Sequence, residues 1–252
     1  MWRYGFNTPT NVNDHETNCG GFGRQWDRNK GKLPFQYLTN PGHLLLMNIL
    51  IGLCGVCGDA YDVKQPRPNE MGGEFGLGVI AANLTQGQIV KVEIELTAYH
   101  QGYFQMRLCP HNRRDRPAAQ SCLDRNLLNL DSGAAYYYPA QPDTGGLYEL
   151  QYRLPADLTC DLCVLQWRYV AGNSWGRCDN GTEAIGCGAQ EEFRACADVH
   201  ISSPGGWYDD TPNQDVDSDG QVEDIIQSTA TPCHSSVISS IIVSFTLVLI
   251  VL

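Results

Sequence analysis

Residues 88–100 read QIVKVEIELTAYH. Val90, Val92, Ile94, Leu96 and Ala98 share one parity, and Lys91, Glu93, Glu95 and Thr97 take the other. Side chains of an extended strand point alternately to its two faces, so this is a strand with one face in a core and one in water. The same period of two recurs four more times. Residues 103–109 set Phe104, Met106 and Leu108 against Gln105 and Arg107. Residues 148–154 set Tyr148, Leu150, Tyr152 and Leu154 against Glu149, Gln151 and Arg153. Residues 164–170 group Leu165, Trp167 and Tyr169, and residues 193–201 group Phe193, Ala195, Ala197, Val199 and Ile201. Gly, Pro and Asn clusters separate these runs, and no long capped amphipathic helix intervenes. The pattern predicts an all-β chain: an antiparallel β-sandwich of the immunoglobulin or fibronectin-III type with long loops.

Composition narrows what such a sandwich does. The 252 residues carry 28 acidic and 17 basic side chains, a net charge of −11. A nucleic-acid binder shows a basic stripe, and none is present, so nucleic acid is excluded as a partner. Seven acidic residues, from Asp209 to Asp224, fall in one stretch without Lys or Arg, so the rest of the chain is close to charge-balanced. That suits a neutral ligand such as an uncharged polysaccharide better than a charged one.

Eleven cysteines point to an oxidising compartment. Ten of them are Cys19, Cys54, Cys57, Cys109, Cys122, Cys160, Cys163, Cys178, Cys187 and Cys196, enough for five disulfides. Their connectivity does not follow from spacing. The Cys-x-x-Cys pairs 54/57 and 160/163 leave a zinc site open as the competing use. The eleventh, Cys233, lies just before an apolar C-terminal run. Asn83 and Asn180 each head an Asn-x-Thr glycosylation sequon.

The chain divides into unequal parts. Residues 1–204 form the sandwich, 205–230 an acidic linker, and 231–252 a tail ending VISSIIVSFTLVLIVL. Small residues, a polar spacer and a terminal apolar run match a GPI-attachment signal, with Ser228 as the attachment residue; a short tail anchor is the alternative. Either one anchors the protein to a membrane at the cell surface. The Asp215-x-Asp217-x-Asp219-Gly220 run starts like a calcium loop, but Ile226 stands where the bidentate Glu belongs. No apolar leader opens the sequence at MWRYGFNTPT. Together with the cysteines and the tail, this leads us to expect that the natural chain starts upstream of Met1. Residues 33–53 contain a dense apolar run, His43 to Leu53, that is too short to span a bilayer and out of place in a loop.

His100 extends the phase of the apolar face at the end of the first strand, and a single His does not make a metal site. Five blocks change its meaning: WRYGFNTPTNVNDHETNCGGF, CGVCGDAYD, ELTAYHQGYFQMRLCP, LTCDLCVLQWRYVAGNSWGRCDNGTEAIGCG and QEEFRACADV. In this order they resemble the insect-type lytic polysaccharide monooxygenases, auxiliary-activity family 15, which belong with the chitin-binding type-4 domains. The resemblance covers residues 1–32 and 54–201. It implies an extracellular oxidoreductase that cleaves crystalline chitin or cellulose at C1 or C4, with one copper ion and an external electron donor.

In that family a histidine brace holds the copper. The amino-terminal His gives its amine and its imidazole, and a second His gives the third nitrogen. The second His matches His100, the axial aromatic matches Phe193, and Ala98 would crowd the axial side. Two departures matter. No His stands at the first position, so the chain as written is expected to be inactive. Residues 33–53 interrupt a join that is continuous in the family, which a retained intron explains; a binding insertion is the alternative. Two rival functions remain: a non-catalytic chitin- or glycan-binding module, and a surface protein that binds copper without oxidising a substrate.

Overall fold

The computed structural model describes residues 3, 5–28, 53–140, 146–205 and 246–250. Residues 33–52, most of the 205–230 linker, Ser228 and Cys233 lie outside this set. Ten strands are described: β1 (Ile80–Thr85), β2 (Ile89–Leu96), β3 (Tyr103–Pro110), β4 (Leu127–Leu130), β5 (Gly146–Arg153), β6 (Cys160–Val170), β7 (Trp175–Arg177), β8 (Glu183–Ile185), β9 (Glu192–Ser202) and β10 (Thr246–Ile250). The helical segments among the described residues are a five-residue π-turn, Arg24–Arg28, and the four-residue helix α1, Gln120–Leu123.

Eight strands make one curled sheet in the order β1-β9-β6-β3-β4-β5-β2-β10, and β7-β8 form a separate hairpin. Short β4 pairs with β3 on one side and β5 on the other, so it is the hinge between two halves. The halves fold over a shared core, which makes a sandwich of the predicted all-β class. The central pairs β2–β5, β3–β6 and β6–β9 are antiparallel as expected. The two edges are not: β1 runs parallel to β9 and β10 runs parallel to β2. A hairpin forces antiparallel pairing only between strands joined by a short turn. These edge partners are more than a hundred residues apart in sequence.

All five strands expected from alternation are present, and their apolar parity faces inward. Val90, Val92, Ile94, Leu96, Phe104, Met106, Leu108, Leu150, Tyr152, Leu165, Trp167, Tyr169, Val199 and Ile201 share one core cluster. Burial of each large member stabilises the fold by roughly 1.5–3 kcal/mol. The first strand is shorter than its sequence pattern suggests. It stops at Leu96, whose partner Gly146 is the first residue of β5, and the chain bends at Thr97 and Ala98.

The opposite face of β3, β6 and β9 is not a wet surface. Gln166 is fully buried, and Glu192 and Arg194 nearly so. Loop residues Val56, Cys57 and Ala118 and Leu123 of α1 pack with Val164 of β6 in a second, smaller cluster over this face. Disulfides fix the cover: Cys57 to Cys196 on β9, Cys109 on β3 to Cys122, and Cys19 to Cys54. The remaining pairs are Cys160–Cys163 and Cys178–Cys187. The ten cysteines thus pair as five disulfides in the structure, which leaves no thiolate of the two Cys-x-x-Cys pairs free for zinc.

Candidate functional site

His100 sits in the link between β2 and β3, where the backbone reverses through Gln101 (φ 58°) and Gly102 (φ 78°). Both φ values lie in the left-handed region. At Gly102 a side chain is also blocked by space, because a Cβ would overlap the carbonyl oxygen of Val170. The close approach lets β3 and the end of β6 clamp the backbone of His100 from below. The His100 amide donates to the Tyr169 hydroxyl at 2.8 Å, and that hydroxyl donates to the Gln101 carbonyl at 2.6 Å. The Gly172 amide donates to the His100 carbonyl at 2.8 Å.

The imidazole itself is half-buried and lies nearly parallel to the Phe193 ring, with centroids 5.9 Å apart and an interplanar angle of 9°. Phe193 stacks in turn on Tyr169 at 5.6 Å. Phe193 is thus both a core residue, 6% exposed, and the neighbour of the His100 ring. Asn173 Nδ2 lies 3.2 Å from His100 Nδ1. An amide presents N–H on one side and oxygen on the other, so the tautomer of His100 follows the way Asn173 turns. With Nδ2 facing the ring, as here, the Asn173 N–H donates to Nδ1 and the proton sits on Nε2. Turning the amide over puts its oxygen against the ring, moves the proton to Nδ1 and leaves the Nε2 lone pair available. Ala98 is exposed in the bend beyond β2.

A carboxylate, a phenol and the N-terminal segment complete the rim. Burial raises the Glu191 carboxyl, while nearby His100 and a backbone hydrogen bond from Phe22 act to lower it. Burial also raises the Tyr169 phenol, against its hydrogen bond from the His100 backbone. The chain around residues 17–26 runs beside the start of β9. Arg194 N donates to Thr17 O at 2.9 Å, Glu192 N to Gln25 Oε1 at 3.2 Å, and Trp26 Nε1 to Gln190 O at 2.9 Å. Next to Asn173 stands the β7–β8 hairpin, closed by Cys178–Cys187, with Trp175 paired across from Ile185. Trp175 is 64% exposed and Ile185 59%, an apolar pair facing solvent at the same rim.

Among the described residues no group of three His, Cys, Asp or Glu side chains is placed to hold a metal ion. His100 is a single nitrogen donor, and copper binding needs more nitrogens from elsewhere. Sequence reasoning missed Tyr169, Asn173, Glu191 and Trp175 as site neighbours. Tyr169 carried a usable signal, since a tyrosine on an apolar stripe needs a partner for its hydroxyl. Asn173 and Glu191 carried none. Both sequon residues are exposed, Asn83 on β1 and Asn180 in the β7–β8 turn, where its Oδ1 accepts from Thr182 Oγ1 at 2.7 Å.

The fold is thus a disulfide-tied β-sandwich that carries a clamped, aromatic-backed histidine on its rim. The family model described as lytic polysaccharide mono-oxygenase, cellulose-degrading, matches residues 2–199. A solved structure, the lytic polysaccharide monooxygenase AA15 from Thermobia domestica in the Cu(I) state, is 39% identical. The match covers 81% of this chain and 93% of that one, with a TM-score of 0.69. No curated protein matches. The chain belongs to the lytic polysaccharide monooxygenases, auxiliary-activity family 15.

Proposed function

We propose that this protein cleaves a crystalline polysaccharide, chitin or cellulose, by copper-dependent oxidation at the rim that carries His100. The observation that supports this most is the His100 imidazole, fixed at both backbone ends and stacked on Phe193 where the family places its second copper-binding histidine. His100 fits one nitrogen of a single copper ion through Nε2, provided that Nδ1–H donates to the Asn173 amide oxygen. Such an outer hydrogen bond fixes the tautomer and the ring angle of a metal-bound histidine. Phe193, stacked on the His100 ring, would be the aromatic residue beside a bound copper ion, with Ala98 on the β2–β3 link as the match for the small residue of the family's site. The remaining nitrogens come, on the family pattern, from an amino-terminal histidine. Bound there, copper supplies one-electron redox chemistry, with an external electron donor as reductant.

The residues of the chain do the rest. Tyr169 holds the backbone of His100 in place, and Glu191 sets the local charge beside the ring. Trp175 and Ile185 offer an apolar strip on which a sugar face can lie. The protein works outside the cell, glycosylated at Asn83 and Asn180, and is held at the membrane by a GPI anchor added near Ser228, an attachment that removes the segment carrying β10. Residues 33–53 have no part in this function.

Product analysis tests the proposal. The copper-loaded protein with a histidine terminus is incubated with chitin or cellulose and a reductant, and the soluble products are weighed by mass spectrometry. Oxidised oligosaccharides that vanish in His100→Ala are expected. Binding to the glycan without oxidised product would instead make the domain a non-catalytic glycan-binding module.

A further inference from the structure

A cavity of about 60 Å³ lies on the other side of the molecule from the core, between the N-terminal segment, the 53–79 loop and the outer face of β9. Asp198, which lines it, is five residues beyond Phe193 on β9, about 16 Å along the strand from the His100 rim. One water needs roughly 10–15 Å³ of such space, so about four or five non-hydrogen atoms fit.

Its walls are largely apolar, with Val56, Phe75 and Leu77 among them. Two buried polar atoms of its lining residues lack a partner, Glu70 Oε2 and Thr8 Oγ1, and each can accept a hydrogen bond. Glu70 is 1% exposed. Its Oε1 accepts from Val56 N at 3.0 Å and from Arg67 Nη1 at 2.8 Å, while its Oε2 has no partner. The Thr8 hydroxyl is also buried without a partner. The half-buried Asp198 carboxylate has no side-chain hydrogen bond among the described residues, and burial pushes it up to about 6, with Arg114 acting against this. Leaving a buried carboxylate oxygen without a donor costs about 1–3 kcal/mol or more. A donor that belongs to an occupant removes that cost.

The charge around the cavity specifies the occupant further. Glu70, Asp59 and Asp198 stand against Arg67 and Arg114, which leaves one negative charge uncompensated. A divalent metal would overshoot that balance and would meet mostly hydrocarbon in place of the six to eight oxygens that calcium takes. A primary ammonium on a short aliphatic stem meets every condition. It carries one positive charge and three N–H donors for Glu70 Oε2, Asp198 and Thr8 Oγ1, and its stem covers the apolar walls.

We propose that this cavity is a binding site for a primary alkylammonium group the size of a lysine side chain, held by Glu70, Asp198 and Thr8. The group is supplied either by a free amine or by a lysine presented by a peptide. It is independent of the His100 site and of the polysaccharide chemistry proposed there.

The probe is n-butylammonium, titrated into the protein at pH 7.5 and followed by amide chemical shifts in NMR. We expect saturable binding with shifts clustered at Val56, Glu70 and Asp198. Neutral n-butanol binds at least tenfold more weakly. Glu70→Gln and Asp198→Asn each weaken butylammonium at least tenfold, and Thr8→Val about threefold. Circular dichroism checks that each variant is folded. Should Glu70→Gln not fold, Asp198→Asn decides the matter. A blocked Gly-Lys-Gly peptide that binds more tightly than butylammonium identifies a presented lysine as the source, and weaker peptide binding identifies a free amine. The proposal is overturned if binding does not saturate, if butanol binds as well, or if the carboxylate variants bind unchanged. Calcium binding that Glu70→Gln abolishes, with no response to butylammonium, also overturns it in favour of a metal site.

Discussion

The two faces of β6 and β9 are both buried, yet they are built from opposite materials. Inward, Trp167, Tyr169, Phe193, Ala197 and Val199 form an aromatic and aliphatic layer. Outward, Gln166, Arg168, Glu192 and Arg194 form a charged layer sealed by disulfide-tied loops. The inner face is held by area removed from water, which tolerates no gaps. The outer face is held by pairing, in which each charge depends on its partner. Arg168 meets Glu192 through a two-pronged contact, with Nε to Oε2 at 2.8 Å, and Arg194 Nη2 meets the same Oε2 at 2.7 Å. The difference teaches that the binding rim rests on two supports of unlike chemistry. Phe193 belongs to one and Glu191 adjoins the other.

Breaking the inner layer has the largest effect. Trp167→Ala removes a fully buried ring at the centre of the core and lowers unfolding free energy by roughly 3–5 kcal/mol in a denaturant titration. Breaking the outer layer comes next. Glu192→Ala leaves two guanidiniums without their carboxylate and costs about 3 kcal/mol. Its pH signature separates it from the inner variant. Burial raises the Glu192 carboxyl, but Arg194 and Arg168 outweigh this and hold it below the ordinary value of 4.5. A group depressed in the folded state contributes stability that is present above its unfolded pKa and lost as pH falls through its folded pKa. Unfolding scans should therefore show the wild type losing stability below about pH 4.5, and Glu192→Gln losing less over the same window.

The rim gives smaller effects that sharpen the comparison. Asn173→Leu removes the hydrogen bond to Nδ1 and weakens copper binding by about 10–100-fold in a competition titration, with thermal stability unchanged. Copper affinity equal to wild type would show that the His100 ring is held by Phe193 alone. Smallest are Asn83→Gln and Asn180→Gln. Each lowers the mass of the secreted protein by one glycan and leaves unfolding within about 0.5 kcal/mol of wild type, because both sites are exposed surface positions.

The inner face was legible because alternation is the imprint that one-sided burial leaves on a strand. Val90 to Leu96 and Leu165 to Tyr169 show it plainly, and the structure buries those residues. β4 was not legible. Leu127, Leu128, Asn129 and Leu130 are too few to establish a period, yet they carry the hinge between the two halves. The parallel edge strand β1 was hidden for another reason: Ala81 and Ala82 give no contrast between faces. Arg194, of the parity opposite to Phe193 and Ala195, falls by alternation on the polar side of β9 yet is buried, because a period of two reports which residues share a face and not what covers it. His100 was found through family blocks, not through strand phase, for the strand ends four residues earlier at Leu96. Asn173 reaches it from 73 residues away, a distance that no local pattern spans.

The central claim is that His100 is a copper ligand on this rim, and electron paramagnetic resonance of the Cu(II)-loaded native protein beside His100→Ala tests it most directly. The account predicts an axial copper signal with nitrogen splitting in the native protein. In the variant that signal is lost and copper affinity falls at least ~100-fold, a change of about 2.7 kcal/mol, while the unfolding temperature stays the same. A variant that keeps both the signal and the affinity would contradict it.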